Sequence, residues 1–483
     1  MALAAVLVAG AALRLWLAVR TSGLTMDSPL YVTMARELGR RGEPLGPAHH
    51  GYPILVAIAS LAIPGRELPA RIISLIAGTL LVAVTFRLAR RSLPPRGAVV
   101  AAGLVALHPL LALFSGAVMT EATFQALAYG ALLVLESGRI AAAGALMGFA
   151  YCVRPEALVI ALAALPAIAP MRRRLVWLAA FALLALPEVA LLSLERGSLT
   201  FTPKTNLIAA SSAARDDAEW HVRSVDSLAA APRRPWLERV RSTLPAAAAR
   251  YPDRLRGQLA RLVQAWPAPL MALSLIGAVV SPGVLLAPLA LVPILPALGV
   301  TPHLRYPMTL IPALAIYAAI GAWWLVAFAA RGGNTRRVAA ASALALVLAS
   351  GLFWCWSGPA GDSVRHFEDG PMGSLRRAGD WLALHGRPGA RVMDRKPYVP
   401  FFAGMPQVLM PDDDYDTIVE YARRSGVDYL VIEEYVMMGM RRQFVPLMTD
   451  STFRARERRL HMVFGGDEGP MTGVAIFEVA PSR

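Results

Sequence analysis

TMDSPLYVTMARELGRRGEPLGPAHHGYP, residues 25–53, follows a first apolar run (residues 2–19) and decides how the rest of the chain is read. Asp27 stands within a few residues of the end of that run. A carboxylate beside a membrane span is costly to keep near lipid, so it marks a functional site by default. After it come Tyr31, an amphipathic turn or two marked by Met34 and Leu38, a Gly/Pro-rich basic patch, and His49-His50-Gly51-Tyr52-Pro53 at the head of a short apolar segment. Everything downstream is helices that can wall such a site or loops that can close it.

The composition supports a membrane setting. Of 483 residues, 56% are hydrophobic and only 17% charged, with a mean hydropathy of +0.49. Soluble domains carry about a quarter charged residues, and several apolar runs here approach the ~20 residues that cross a bilayer. The formal charge of +15 would suggest nucleic acid in a soluble protein. Between membrane spans, clustered arginines set orientation instead, so no nucleic-acid partner is expected. Cys152 and Cys355 lie far apart in apolar runs and offer neither a disulfide framework nor metal-ligand spacing. The start lacks a basic n-region and a small-residue cleavage site, so residues 2–19 read as a retained span rather than a signal peptide.

Taken in order, the apolar segments predict a mainly α, polytopic bundle of about eleven crossings. Numbered from an inside N-terminus, the basic clusters at 87–96, 139, 172–174 and 331–337 all fall on one side, the positive-inside pattern. That parity sends Asp27, Glu121, Arg154, Arg305 and the C-terminus outward. The expected organisation is a membrane domain over 1–356, with outer loops at 20–66 and 195–265, and an extracytoplasmic α/β domain over 357–483. Within the second loop, Leu255, Leu259, Leu262 and Trp266 share one face of a helix with arginines opposite, which predicts a helix lying on the membrane surface. In the C-terminal part, SLRRAGDWLALHG and DYDTIVEYARRSGV read as helices, and ARVMD, DYLVIEE and GVAIFEV as strands. Asp412-Asp413-Asp414 reads as a helix cap or solvated run before a cation site, and no metal site is assigned.

In order and on one side, DSPLY, AHHGYP, PARIISL, MTEATF, Arg154-Pro155-Glu156 and Leu304-Arg305-Tyr306-Pro307 resemble the GT-C class of membrane glycosyltransferases. That class includes the protein O-mannosyltransferases (family 39-like) and bacterial relatives that modify lipid A and cell-wall sugars. The resemblance implies sugar transfer from a polyprenyl-phosphate donor to a hydroxyl outside a bacterial cytoplasmic membrane. It implies Asp27 as general base, and Arg71, Lys204, Arg305 and His50 as ligands of the donor phosphate. Tyr31, Glu121, Arg154 and Glu156 would orient the acceptor or its loop. No cofactor is required on this reading, and use of a divalent cation stays open. So does the acceptor: protein, lipid or cell-wall glycan. Two departures stand out. Asp27 is followed by Ser28 where the family often has an acidic pair, and His50-Gly51-Tyr52-Pro53 replaces a Lys-Pro-Pro or His-Pro-Pro element.

Each residue also has a structural use. Asp27 can N-cap the helix that starts at Ser28, with Pro29 in its first turn. Arg71 can snorkel, Arg305 can anchor at the interface, Arg154 can pair with Glu156, and Glu121 can sit at a helix N-terminus. The histidines can simply be solvated. Two other functions compete: an oligosaccharide polymerase or ligase using a lipid diphosphate, and a transporter or flippase without chemistry. A transporter predicts matching broken helices in two halves, and the sequence shows no such internal symmetry.

Overall fold

A computed structural model describes residues 1–21, 24–25, 27–38, 48–196, 199–203, 236–300, 302–367, 372–434, 437, 441–465 and 473–481. The chain divides into two compact units, one of Met1–Thr205 with Leu244–Phe367, the other of Asn206–Thr243 with Glu368–Arg483.

The first unit is helical. Its elements are α1 (Ala2–Arg20), α2 (Ser28–Glu37), α3 (Gly51–Ser60), α4 (Leu68–Ala89), α5 (Pro95–Leu107), α6 (Pro109–Gly116) and α7 (Thr120–Glu136). They continue with α8 (Ile140–Val153), α9 (Glu156–Ala163), α10 (Met171–Arg196), α11 (Trp236–Ala265, of which this unit holds the part from Leu244), α12 (Ala268–Val280), α13 (Leu291–Ala297), α14 (Ile311–Ala330) and α15 (Asn334–Ser357). Among the described residues, five helices are long and apolar enough to cross a membrane, or up to seven if two bent pairs each count as one. The remaining expected crossings fall on shorter helices such as α8, α9 and the 284–297 stretch. Proline explains much of the shortening: Pro155, Pro288 and Pro296 interrupt runs that hydropathy alone would join.

Burial is inverted relative to a water-soluble bundle. Val8, Leu15, Leu80, Leu183, Leu275, Val279, Leu346 and Phe353 face outward, while Arg14, Ser74, Thr85, His108 and Glu121 are buried. Lipid is as good a solvent as protein for a leucine but a poor one for a polar group, so the polar residues turn inward. The expected stripe of α11 is buried only in part. Leu262 and Trp266 are buried as anticipated, but their companions are Arg254 and Gln258, while Leu259 is exposed.

Tight helix pairing follows from small residues. A Cβ on Gly144 or Gly148 of α8 would land on the carbonyl groups of Trp177 and Phe181 in α10, so this GxxxG spacing lets the two backbones touch.

The apolar run at 97–115 is broken. α5 and α6 meet at 58°, and α11 and α12 meet at 102°. Breaks strip carbonyls of their helical donors, and inside a membrane those carbonyls need others. Arg14 supplies them at the first break, donating to Ala106 O at 2.8 Å and Val105 O at 3.3 Å, with Nε on Ser115 Oγ at 3.2 Å. Trp356 Nε1 donates to Leu107 O at 2.9 Å. His108, at the first break, bonds Ala265 O at the second (2.9 Å) and stacks on Trp266. The breaks thus satisfy each other, and α6 is aimed so that the Ala117–Met119 turn can deliver the start of α7.

The second unit carries a five-stranded sheet of β1 (Val392–Asp394), β2 (Gln407–Leu409), β3 (Tyr429–Glu433), β4 (Leu460–Phe464) and β5 (Val474–Val479), in the order β2-β1-β3-β5-β4. β1 runs parallel to β2 and β3, and β5 runs antiparallel to β3 and β4. Helices at 372–385 and 415–424 lie where the periodicity places them. Met393, Leu430, Ile432, Ile418, Phe444, Ala475 and Phe477 form its core. Asp414 caps the 415–424 helix through Thr417 N at 2.9 Å, and Asp412 pairs with the buried Arg441 at 2.8 Å. Those contacts occupy two of the three consecutive aspartates, and among the described residues no group of three or more His, Cys, Asp or Glu could hold a metal ion.

Candidate functional site

The site is built at the end of the helical unit where α1 and α8 finish and where α4, α7 and α14 begin. Its first residue is Asp27. Asp27 occupies the N-cap position of α2 but makes no side-chain cap bond, which corrects the expectation that it would serve as one. The turn is closed instead by Ser28, whose Oγ accepts from Thr25 N at 2.7 Å and donates to Val118 O at 2.9 Å. That second bond docks α2 onto the turn before α7. The Asp27 carboxylate is directed elsewhere: its Oδ2 pairs with Arg305 Nη1 at 2.9 Å, a bond spanning 278 positions of sequence.

Arg305 lies on the short turn before α14, with its guanidinium over the Tyr306 ring. Burial works against its charge, but the carboxylates of Glu121 and Asp27 outweigh burial and hold its pKa above the ordinary arginine value. Tyr31, one turn into α2, is buried and edge-on to Tyr52. Its phenol lies in the field of Asp27, Glu121, Arg154 and Arg305, and burial pushes its pKa up. Tyr52 in turn bonds Ala70 O and Ser74 Oγ, and Ser74 holds Met119 O.

Arg154 ends α8 and pairs with two carboxylates. Nη1 meets Glu121 Oε1 at 2.5 Å, and Nη2 meets Glu156 Oε1 at 2.6 Å. Thr120 Oγ1 accepts a further bond at 3.2 Å. All three charged groups are buried, and removing one partner of such a set leaves uncompensated charge.

The expected phosphate ligands have different partners among the described residues. Arg305 joins Asp27, Glu121 and Arg154. Arg71 instead donates to Ala18 O at 3.0 Å and Thr21 O at 3.2 Å, closing the last turn of α1, a favourable place for a cation. His50 is held by a residue that sequence reasoning missed. Glu188 of α10 accepts from His49 Nδ1, His50 Nδ1 (both 3.1 Å) and the His50 backbone amide (3.2 Å). Lys204 lies outside the described residues. A signal for Glu188 existed: one carboxylate beside Pro187 in an otherwise apolar run of crossing length. The two polar groups adjoin, because the charge of Glu156 is also felt at His49. A Cβ on Gly51 would collide with the Cys152 backbone, so only glycine lets the head of α3 press against the turn that carries Arg154.

Residues 52–193 match the family model described as dolichyl-phosphate-mannose-protein mannosyltransferase. That segment contains Arg71, Glu121, Arg154, Glu156 and Glu188. No curated protein matches the sequence significantly. Among solved structures, the chain is similar to an oligosaccharyltransferase from Archaeoglobus fulgidus tethered with an acceptor peptide containing the NVT sequon. That match has 15% identity and a TM-score of 0.60, covering 100% of this chain and 74% of the other. It is also similar to ArnT from Cupriavidus metallidurans bound to undecaprenyl phosphate, at 15% identity and a TM-score of 0.55, covering 98% and 99%. A third is the Archaeoglobus fulgidus oligosaccharyltransferase AglB in complex with an inhibitory peptide and a dolichol-phosphate, at 14% identity and a TM-score of 0.55, covering 100% and 74%. At these identities the likeness is one of fold, over the whole chain.

Proposed function

We propose that this chain is a membrane glycosyltransferase of the GT-C class, a reading supported by the family model over residues 52–193 and by the shared fold, and that it transfers a sugar from a polyprenyl-phosphate donor to an acceptor hydroxyl. The acceptor lies outside a bacterial cytoplasmic membrane, and Asp27 is the general base. The observation that carries this reading is the Asp27–Arg305 pair, set beside Tyr31, Glu121 and Arg154. A base and a cation for the leaving phosphate are needed within one reacting distance of each other, and these two residues touch.

In the step itself, the acceptor oxygen attacks the anomeric carbon and its proton passes to Asp27. The bond from that carbon to the phosphate oxygen breaks, in a single displacement that inverts the centre. The polyprenyl phosphate leaves with one more negative charge than it carried as a diester. Asp27 offers Oδ2 to Arg305, yet a carboxylate has about four lone-pair sites, so a proton can still be accepted. Arg305 meets the charge that develops on the phosphate, which helps the transition state more than the bound donor. The buried Arg154 set fixes Glu121 and the start of α7 against this centre. The bound lipids of the two neighbours, undecaprenyl phosphate and a dolichol-phosphate, support a lipid-phosphate donor over a soluble nucleotide sugar.

The test is direct. Purified chain is incubated with a panel of radiolabelled polyprenyl-phosphate sugars and with lipid-diphosphate oligosaccharides, and products are separated by charge. Consumption of one monophosphate donor with release of polyprenyl phosphate is expected. Consumption of diphosphate donors alone would replace this reading with the polymerase or ligase alternative.

A further inference from the structure

Glu188 is a carboxylate of the polar cluster that the transfer step does not use. It is nevertheless kept inside α10, where an unpaired charge is costly. Its four bonds go to two consecutive residues, His49 and His50, and fix both rings. A carboxylate only accepts, so each Nδ1 must carry the hydrogen. Each Nε2 is then a bare acceptor in the neutral ring and a donor in the imidazolium. His49 is buried, and its Nε2 has no hydrogen-bond partner among the described residues. A buried polar atom of that kind calls for a partner.

The charges around His49 decide which partner. Glu188 faces it from α10, Glu156 from the start of α9, His50 from its own segment, and the Tyr151 ring edge from α8. Arg154 is bonded to Glu156 rather than to the ring. Burial holds the His49 imidazole below the usual histidine range, Glu188 and Glu156 pull it up, and His50 pushes it down. A neutral ligand leaves that balance where it is. An anionic oxygen placed on Nε2 tips it, because the ring can then hold a second proton between two anions.

We propose that Glu188 is a positioning residue that turns His49 into a donor for the lipid phosphate, so that the donor binds with uptake of one proton at His49. This rests on the lipid-phosphate reading above. It adds to that reading a residue on a different helix and a linkage between donor affinity and pH. The sign follows from the charges. Bound phosphate raises the ring's affinity for the proton, so binding is tightest at low pH. Binding then weakens as pH rises from the free ring's range to the bound ring's range, and is constant beyond it.

The experiment measures binding of undecaprenyl methyl phosphate, a phosphodiester that keeps one charge throughout, to the purified full chain from about pH 5.5 to about pH 9. Calorimetry in buffers of different ionisation enthalpy reads the proton directly. For the parent protein, affinity should fall by up to about tenfold per pH unit across part of this window, with close to one proton taken up there. Glu188→Gln should bind about tenfold or more weakly at the acid end, take up less proton, and converge with the parent at the alkaline end. His49→Gln, which keeps a donor but cannot titrate, should bind with no pH dependence. Dimethyl phosphate, which lacks the prenyl chain, should bind at least about tenfold more weakly than the lipid; equal binding would assign the site to free phosphate. A parent that binds the lipid with no proton uptake overturns the inference and leaves the transferase reading standing. So does a His49→Gln variant that keeps the parent's slope, and this arm decides the matter even if Glu188→Gln fails to fold. A folded parent that binds the lipid at no pH contradicts the lipid-phosphate reading itself.

Discussion

Asp27 has two uses open to it from sequence, and its side chain makes no cap bond. A cap and a base both want the carboxylate near the start of α2, so spacing alone could not choose. The bond to Arg305 spans 278 positions, and no local pattern announces it. Glu121, Arg154 and Glu156 were legible as polar residues at helix ends, but their meeting on one guanidinium depends on how α7 and α8 pair. Glu188 was legible only as an anomaly of cost. Arg71 shows the reverse: a cation in a suggestive place, bonded to the carbonyls that end α1. The Arg154 set makes a prediction at this scale. Arg154→Ala leaves Glu121 and Glu156 buried without their partner, so the purified protein should lose about 3–5 kcal/mol of stability. Thermal unfolding in detergent measures this, and a loss within about 0.5 kcal/mol, the size of an ordinary surface change, would show the set to be solvated.

At the scale of elements, apolar periodicity located most helices but not their faces or breaks. The predicted α11 stripe is only partly buried: Leu262 is, together with Arg254 and Gln258, while Leu259 is exposed. The break at His108 follows from Pro109, yet Arg14, which no local pattern ties to it, binds the carbonyls it frees. In the second unit, strands β1, β3 and β5 were readable from their apolar runs. β2 has three residues, and β4 has a mostly half-buried pattern, so neither stands out. Where β1 and β3 end, Asp394 and Glu433 are both buried, and each carboxyl feels the other. Burial pushes the Asp394 carboxyl up to about 7, and burial together with Asp394 pushes Glu433 up as well. Both groups take their proton more readily folded than unfolded. Their contribution to stability is therefore whole below the ordinary carboxylate range and is lost as pH rises toward about 7. The calorimetric transition of this unit should move to lower temperature from about pH 4 to about pH 7, and Glu433→Gln should flatten the trend. A transition that climbs over this range would mean the pair is held ionised.

For the molecule as a whole, the polytopic α class with a small α/β unit could be read from composition, hydropathy and the change of character near residue 357. The side of the membrane is a separate matter, resting on basic clusters at 87–96, 172–174 and 331–337. A cysteine introduced at Ser374 should label with an impermeant thiol reagent in spheroplasts, and one at Thr335 should not. Cys152 and Cys355 are buried and free, so they add little background. Labelling at Thr335 but not at Ser374 would reverse the orientation and move the proposed site to the cytoplasmic face.

The central claim is that Asp27 takes the acceptor's proton during sugar transfer from a polyprenyl phosphate. It is tested most directly by single-turnover transfer with Asp27→Asn, using the donor that the parent consumes. Asn keeps the size of the side chain and can still accept from Arg305, so thermal stability should stay close to the parent's. The transfer rate should fall by about 10²–10⁴-fold, with polyprenyl phosphate and glycosylated acceptor appearing together at the slower rate. An Asn variant that folds and transfers sugar at the parent rate would contradict the account.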